Sequence, residues 1–444
     1  MHLNPDNADG NKEYHPVTAS DRIDVAIAGG SATGLALALA LARCLGPDLS
    51  IAVIDRGGAD HASAVADTTV SDPRAVSLSA ASRHMLEALG VWPMIAADAE
   101  PVRRIEITDS GLDAGVRPVL LAWDNDVATA MSAQTGHEPA AHIVPLPALT
   151  AALARAVAAE RSIRVVRPVE VTGLATDGFA ARLALRHPDG TEAALAARLA
   201  VAADGQRSVL RQAAGIKVVG WPYDQIGIAV TIAHEREHGG VAVQHFLPAG
   251  PFAILPLTGR RSCITWTEAA REGRRIMALD DADFLAEVDR RFGGKLGALS
   301  LAGGRRAWPL HMHLARAWVA DRLVLVGDAA HSVHPIAGQG LNQAFRDVAA
   351  LVQVVAETAR AGLDIGDGTA LGHYQQWRRF DAMTAAASFD AINRLFSVDG
   401  RLLRSAREVG LQVVDRLPGL KRALVAEGAG LAGDVPRLLK GELV

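Results

Sequence analysis

Residues 323–351, LVLVGDAAHSVHPIAGQGLNQAFRDVAAL, constrain the fold more than any other stretch, because a short apolar run leads into a glycine turn and then a helix start. The run 323–326 suits a strand covered on both faces. Gly327 permits a sharp turn that points the Asp328 carboxylate at a hydroxylated ligand. Gly338 and Gly340 strip side chains from the next turn. Backbone N–H groups of the helix carrying Asn342 and Phe345 are thereby free to face an electron-rich ring edge or an anion.

A second signal lies in residues 24–43, DVAIAGGSATGLALALALAR, which read as strand, glycine turn and Ala/Leu helix, followed by IAVID ending at Asp55. A dinucleotide fold needs this order: a tight turn at Gly29, close packing at Gly34, a pyrophosphate at the helix N-terminus and an acid for ribose hydroxyls. Ser31 occupies the place of the middle glycine, so Gly30 or a shifted backbone has to provide the close approach. A third apolar strand, in residues 199–216 (LAVAADGQRSVLRQAAGI), ends in Asp204-Gly205, with Ser208 and Arg211 beyond.

ADGQRSVLR resembles the Asp-Gly motif, and GDAAHSVHPIAGQGLNQAFRD the Gly-Asp motif, of the FAD-dependent aromatic hydroxylases typified by para-hydroxybenzoate hydroxylase. All three motifs stand in the family's order. DPRAVSLSAASRHMLEALGVWP and the C-terminal VDRLPGLKRALVAEGAGLAGDVPRLLKGEL are similar to the ubiquinone-biosynthesis hydroxylases within that superfamily. The resemblance covers nearly the whole chain after residue 22.

The resemblance implies that Gly29, Gly30, Gly34 and Asp55 hold the ADP half of FAD and that Arg74 runs beside the cofactor. It implies that Asp328, after Gly327, bonds the ribityl chain, that Pro335 lies near the flavin face, and that Gly338, Gln339, Gly340, Leu341 and Asn342 present backbone groups to the pyrimidine edge. Pro335, Gly338 and Gly340 would form the flavin environment of catalysis, without a general base. Asp204 and Arg211 would serve both FAD binding and reduction by a transient NAD(P)H, for which no separate Rossmann motif is present.

The fold class expected is α/β: a Rossmann-like FAD-binding domain with an inserted antiparallel-sheet substrate domain and a C-terminal helical segment. Residues 1–22 read as a disordered tail without a signal-peptide core. The FAD-binding domain takes 23–215 and 305–355, with substrate-domain elements inserted around 90–145. Residues 216–304 form the substrate sheet, because QIGIAVTIA, GVAVQHFLPAG, PFAILPL and RSCITWTE are β-branched and alternating. Pro188-Asp189-Gly190 marks a hairpin turn. Residues 356–444 are helical, and the arginines after Tyr374 and Leu402 suit a solvated face. By resemblance the sheet floors the substrate site, with Gln244, Phe246 and Leu255 as pocket-facing candidates and Trp266 a weaker one.

With 45 basic and 49 acidic residues the net charge is −4, which offers no footprint for nucleic acid. Two cysteines, Cys44 and Cys263, are too few for a disulfide framework and read as buried thiols of a reducing compartment. His311, His313, His331 and His334 lack the carboxylate company of a metal cluster, so no metal is expected. No apolar run reaches the roughly 20 residues of a membrane span.

The implied activity is that of an FAD-dependent monooxygenase: reduced flavin and its hydroperoxide, formed with O2, hydroxylate the ring of a polyprenylated phenol or quinone precursor in ubiquinone biosynthesis. Two alternatives stay open, a monooxygenase of small soluble phenols or secondary metabolites, and a non-catalytic flavin-binding accessory subunit of a quinone-synthesis assembly. The expected location is cytoplasmic, with peripheral contact to the inner face of the membrane and a quinone-biosynthesis assembly as a further partner.

Overall fold

The computed structural model describes residues 23–57, 72–112, 117–127, 138–333, 338–397 and 417–444. The tail 1–22, His334, Pro335 and residues 398–416, which include Leu402 and the arginines after it, lie outside the described residues. The chain opens with β1 (Ile23–Ala28), α1 (Ala32–Leu45) and β2 (Ile51–Ile54), followed by β3 (Ala75–Ser79) and α2 (Ala80–Ala88). Then come β4 (Glu100–Pro101), β5 (Arg104–Asp109), β6 (Leu121–Asp124), β7 (Ala141–Pro145) and α3 (Leu146–Ala159). β8 (Ile163–Val166), β9 (Glu170–Thr176), β10 (Ala181–Arg186), β11 (Glu192–Ala202) and α4 (Val209–Ala213) complete the first half.

α1 is apolar on every side because every side is covered: Leu37, Leu39 and Leu41 are fully buried, and the helix packs on β2, on α3 and on a later helix. Each such leucine contributes about 1.5–3 kcal/mol. β11, β1, β2 and β8 run parallel, which accounts for the apolar runs 25–28, 51–54 and 199–202 at the centre of the sheet. β9 and β10 add antiparallel to β11, and the expected turn at residues 188–190 closes the β10–β11 hairpin, with Gly190 at φ +86°.

The second half begins with β12 (Val218–His234), β13 (Val241–Leu247), β14 (Gly250–Leu257) and β15 (Arg261–Ala269), then α5 (Ala270–Met277) and α6 (Asp281–Phe292). β16 (Leu299–Ala315), β17 (Val319–Ala320), β18 (Leu323–Leu325) and β19 (His331–Ser332) lead to α7 (Gly340–Arg360), α8 (Gly368–Ser397) and α9 (Pro418–Gly428). β18 joins the first sheet parallel to β11, whereas the second sheet has the order β19-β16-β12-β15-β14-β13-β5-β6.

The boundary expected at residue 305 falls inside β16, which pairs with β12 over nearly its whole length; the chain returns to the first sheet only after Ala315. Alternation is weak around Gly303, Gly304 and the arginines at 305 and 306, so the strand gave little sign of continuing there. β5 and β6, from the region around 90–145, also pair in the second sheet.

Trp266 does not share the face of Gln244, Phe246 and Leu255. It lies on the opposite face of the second sheet, buried with Phe252 and Ile264 under Phe284 of α6, and the Arg291 guanidinium stacks 4.2 Å from its ring centre. The solvated-face reading of the helix after Tyr374 is corrected too: Tyr374 and Arg378 are fully buried, and the Tyr374 hydroxyl donates to the Leu325 carbonyl at 2.8 Å. Both thiols are buried, as Cys44 and Cys263 were expected to be.

Candidate flavin site

The three motifs meet at the carboxyl ends of the parallel strands. Gly29, at φ +111°, lies so close to the Ala203 carbonyl that a Cβ there would fall onto it, which joins the first glycine turn to the Asp-Gly motif. A Cβ on Gly327, at φ +56°, would reach 3.3 Å from Thr33 of α1 and 3.2 Å from Ala344 of α7, so the Gly-Asp turn touches the same place. Gly34 packs directly under the Gly29 carbonyl, and any side chain there would separate α1 from β1.

Beside the first glycine turn, Asp55 Oδ2 accepts from the Gly30 N–H at 2.7 Å and Oδ1 from the Gly57 N–H at 2.7 Å. This holds the carboxylate beside the glycine turn with lone pairs left for ribose hydroxyls. Ser31 is the N-cap of α1 but its exposed side chain caps nothing, and the first intrahelical bond runs from Leu35 N–H to the Ser31 carbonyl. The N–H groups before Leu35 are thus open to a phosphate.

In the Gly-Asp turn, Asp328 is exposed, yet burial by surrounding protein raises its carboxyl above the ordinary range, against the charges of His331 and Arg74. Both facts fit a side chain that faces a recess rather than bulk water. It makes no side-chain hydrogen bond to another described residue. Arg74 does not reach across; it forks onto Asp72 at 2.6–3.1 Å. Burial would raise the Asp72 carboxyl, but bonding by Arg74 outweighs it and holds the group below its usual value. Arg306 of β16 also bonds Asp72, at 2.8 Å, so the arginine beside the recess is tied to the second sheet.

The start of α7 completes the recess. A Cβ on Gly338, at φ +62°, would lie 3.3 Å from Ser77, whereas one on Gly340 would meet open space. Gln339 is the N-cap without a side-chain cap, and the first intrahelical bond is Gln343 N–H to the Gln339 carbonyl. That leaves the N–H groups of Gly340, Leu341 and Asn342 facing outward from the helix end. The Asn342 side chain is structural: its Nδ2 donates to the Ser77 carbonyl at 2.7 Å and to Gln339 Oε1 at 3.0 Å, and its Oδ1 accepts from Ser79 N–H and the Ser82 hydroxyl.

Asp204 caps the short α4, with Oδ2 accepting from Val209 N–H at 2.8 Å, while its buried Oδ1 has no partner among the described residues. An unmet buried acceptor costs about 1–3 kcal/mol, so this oxygen is placed for a donor on a ligand. Arg211 is otherwise engaged. It is buried, donating to the Ala329 carbonyl at 2.8 Å and the Gln206 carbonyl at 2.6 Å, so it clamps the Asp-Gly motif to the turn after Asp328. Two uncapped helix starts, a raised free carboxylate, an orphaned acceptor and an open glycine fit a dinucleotide with a polyol chain, and hence FAD.

Gln244 and Phe246 share one face of β13, and register carries that face across Ala253, Leu255 and Thr265 to Cys263 and Thr231. Cys263 Sγ and Thr231 Oγ1 both donate to the Pro73 carbonyl, at 3.3 and 3.4 Å, so this face turns toward the segment that bears Arg74. The three candidates differ in what they can still do. Leu255 packs, partly buried, against a small core that includes Ile143, Leu257 and Cys263, and Phe246 is stacked under Phe396 of α8 at 3.8 Å between ring centres. Gln244 keeps a buried Nε2 without a partner among the described residues.

The sequence reading missed the polar layer behind the recess. Asp347 of α7, His331 and Arg378 of α8 are buried together in one ion-paired group. The adjacent Arg346 and Asp347, set into the otherwise apolar middle of α7, were the available signal.

A model of the FAD binding domain family matches residues 22–385. A ubiquinone hydroxylase of Rhodospirillum rubrum is 37% identical over 433 residues, spanning 96% of this chain and 95% of that one. The 3-demethoxyubiquinol 3-hydroxylase of Escherichia coli is 32% identical over 92% of this chain and 98% of its own length. Among solved structures, p-nitrophenol 4-monooxygenase of Pseudomonas putida superposes with a TM-score of 0.75 at 17% identity, covering 93% of this chain and 99% of that one, a likeness of fold. With three glycine-centred motifs converging on one recess, the chain belongs to the FAD binding domain family, among the FAD-dependent aromatic hydroxylases.

Proposed function

We propose that this protein is an FAD-dependent monooxygenase that hydroxylates the ring of a polyprenylated phenol or quinone precursor in ubiquinone biosynthesis, with NAD(P)H as the reductant. The observation that carries the reading is Gln244: a buried amide donor without a partner, on an otherwise largely apolar sheet face turned toward the flavin recess. A ring oxygen on an otherwise apolar molecule satisfies such a floor. The substrates named in the two bacterial relatives are of this kind.

Bound flavin supplies the activation of O2 once reduced, and the chain supplies position. Asp328 would accept from a ribityl hydroxyl, and the N–H groups opening α7 would favour negative charge on the pyrimidine edge, because a helix N-terminus carries roughly +0.5 of an elementary charge. Phe246 under Phe396 closes one end of the floor, and the Pro73 contacts close the other, which limits water. No described helix is long and apolar enough to cross a membrane. Contact with the membrane or with a quinone-synthesis assembly would therefore be made from the protein surface.

The test is turnover of the FAD-loaded protein with NADH or NADPH under ¹⁸O2, offering a prenylated phenol and its unprenylated parent. The proposal expects one labelled oxygen in the prenylated product. Labelling of the unprenylated phenol alone would transfer the protein to small aromatic substrates, and retained flavin with neither product would make it an accessory subunit.

A further inference from the structure

The turn that presents Asp328 is held from behind by one carboxylate. Asp347 Oδ2 accepts from the Gly327 N–H at 3.0 Å and from His331 Nε2 at 2.6 Å, so both ends of the turn are bound by the same oxygen. Its Oδ1 accepts from Arg378 Nε at 2.9 Å, and Arg378 reaches on to Gln343 Oε1 at 3.0 Å and Asp381 at 2.9 Å. Trp318 stacks on His331 with ring centres 5.0 Å apart. Asp347 lies two helical turns after Gly340, on the stripe of α7 that also carries Ala344 against Gly327.

We infer that Asp347 is a positioning residue: by binding both flanks of Asp328 from the helix whose start faces the flavin ring, it fixes the ribityl acceptor relative to the ring-edge N–H groups and so sets flavin affinity. A buried ion pair is poor evidence for stability, since well-packed apolar side chains often replace one without loss. What an apolar trio could not do is hold the Gly327 N–H and the His331 ring at fixed points. Asp328 itself has no side-chain bond to a described residue, so its direction is inherited from the turn. The inference rests on the flavin reading but not on the substrate.

The experiment compares wild type with Asp347→Asn, His331→Leu and His331→Gln, measuring FAD dissociation constants of the apoproteins by flavin fluorescence, apoprotein Tm, and the visible band of bound flavin. Loss of affinity of about tenfold or more is expected in Asp347→Asn and His331→Leu, with a shifted band; His331→Gln, which retains a donor toward Asp347, recovers most of it. His331→Leu keeps the Asp347–Arg378 pair, so it reports even if Asp347→Asn does not fold. A lower Tm with FAD affinity and spectrum within twofold of wild type would reduce the group to a structural one and overturn the inference. Failure of wild type to bind FAD would overturn the flavin reading as well, whereas failure of prenylated phenols as substrates would leave it standing.

Discussion

The Arg211 guanidinium donates to the Ala329 carbonyl at 2.8 Å, tying the helix after the Asp-Gly motif to the turn after Asp328 across 118 residues of sequence. A buried cation that satisfies two backbone carbonyls holds the two motif loops in register.

Replacing Arg211 with Met should therefore lower apoprotein stability by about 3 kcal/mol, the scale of charge-assisted hydrogen bonds lost to buried carbonyls. FAD affinity should fall in parallel, while the rate at which NAD(P)H reduces flavin that does bind stays within a fewfold. Urea titration and stopped-flow reduction separate these, and a selective loss of reduction would restore the cofactor role implied by resemblance.

Asp328 carries a raised carboxyl, so its ionisation opposes folding of the apoprotein. The sign follows from linkage: the carboxyl favours the folded state while protonated, below its ordinary range, and that contribution disappears as pH rises through the raised value. Asp328→Asn is expected to match wild-type Tm in acid and to equal or exceed it at neutral pH, yet to bind FAD more weakly. Thermal scans of both apoproteins across pH, with FAD titrations, check this; a neutral-pH Tm well below wild type would contradict it.

Two glycines should respond oppositely to alanine. At Gly34 a Cβ would strike the Gly29 carbonyl, so Gly34→Ala should yield little folded protein. At Gly340 the space is open and helical, so Gly340→Ala should leave the apoprotein as stable or better by up to about 1 kcal/mol, while FAD affinity drops because the methyl occupies the recess. Circular dichroism and flavin binding on both variants distinguish the cases.

Burial holds His142, His245 and His313 neutral, each with its pKa pushed down to about 4 from 6.5. Their contribution to stability is present above 6.5 and is lost as pH falls toward 4, because the unfolded chain takes up protons that the folded one refuses. Near pH 5 the three together should add a slope of about 4 kcal/mol per pH unit, at roughly 1.4 for each proton. His245→Asn, placed to retain a contact with the Thr108 hydroxyl, should remove about a third of it in urea unfolding measured from pH 5 to 7.

Gln244→Met removes a buried donor that has no protein partner among the described residues, so the apoprotein should be unharmed or more stable. With a prenylated phenol, kcat/KM should fall about tenfold, about 1.4 kcal/mol, and a substrate lacking the ring oxygen should no longer be discriminated against. Unchanged kcat/KM would remove Gln244 from the substrate site.

The glycine turns, the parallel strands and the convergence of their motifs were legible because each depends on local chemistry: apolar runs for covered strands, glycine where φ is positive or backbones touch. Register puts Gln244, Phe246 and Leu255 on one face of the second sheet. What local pattern could not reveal was partnership at long range. Arg378 looked like one more helix-surface cation until tertiary packing buried it against Asp347, 31 residues away. Trp266 alternates as well toward α6 as toward the flavin, and only the pairing of β14 with β15 decides. β16 ran past its expected end because its ladder with β12 outweighs weak alternation around Gly303 and Gly304.

The most direct measurement is mass spectrometry of prenylated quinone intermediates in cells lacking this gene, complemented by wild type or by Asp328→Ala. Accumulation of one intermediate short of a single ring oxygen, relieved by wild type and not by the variant, is the predicted result. Quinone pools unchanged by the loss of the gene, or restored equally well by the variant, would contradict it.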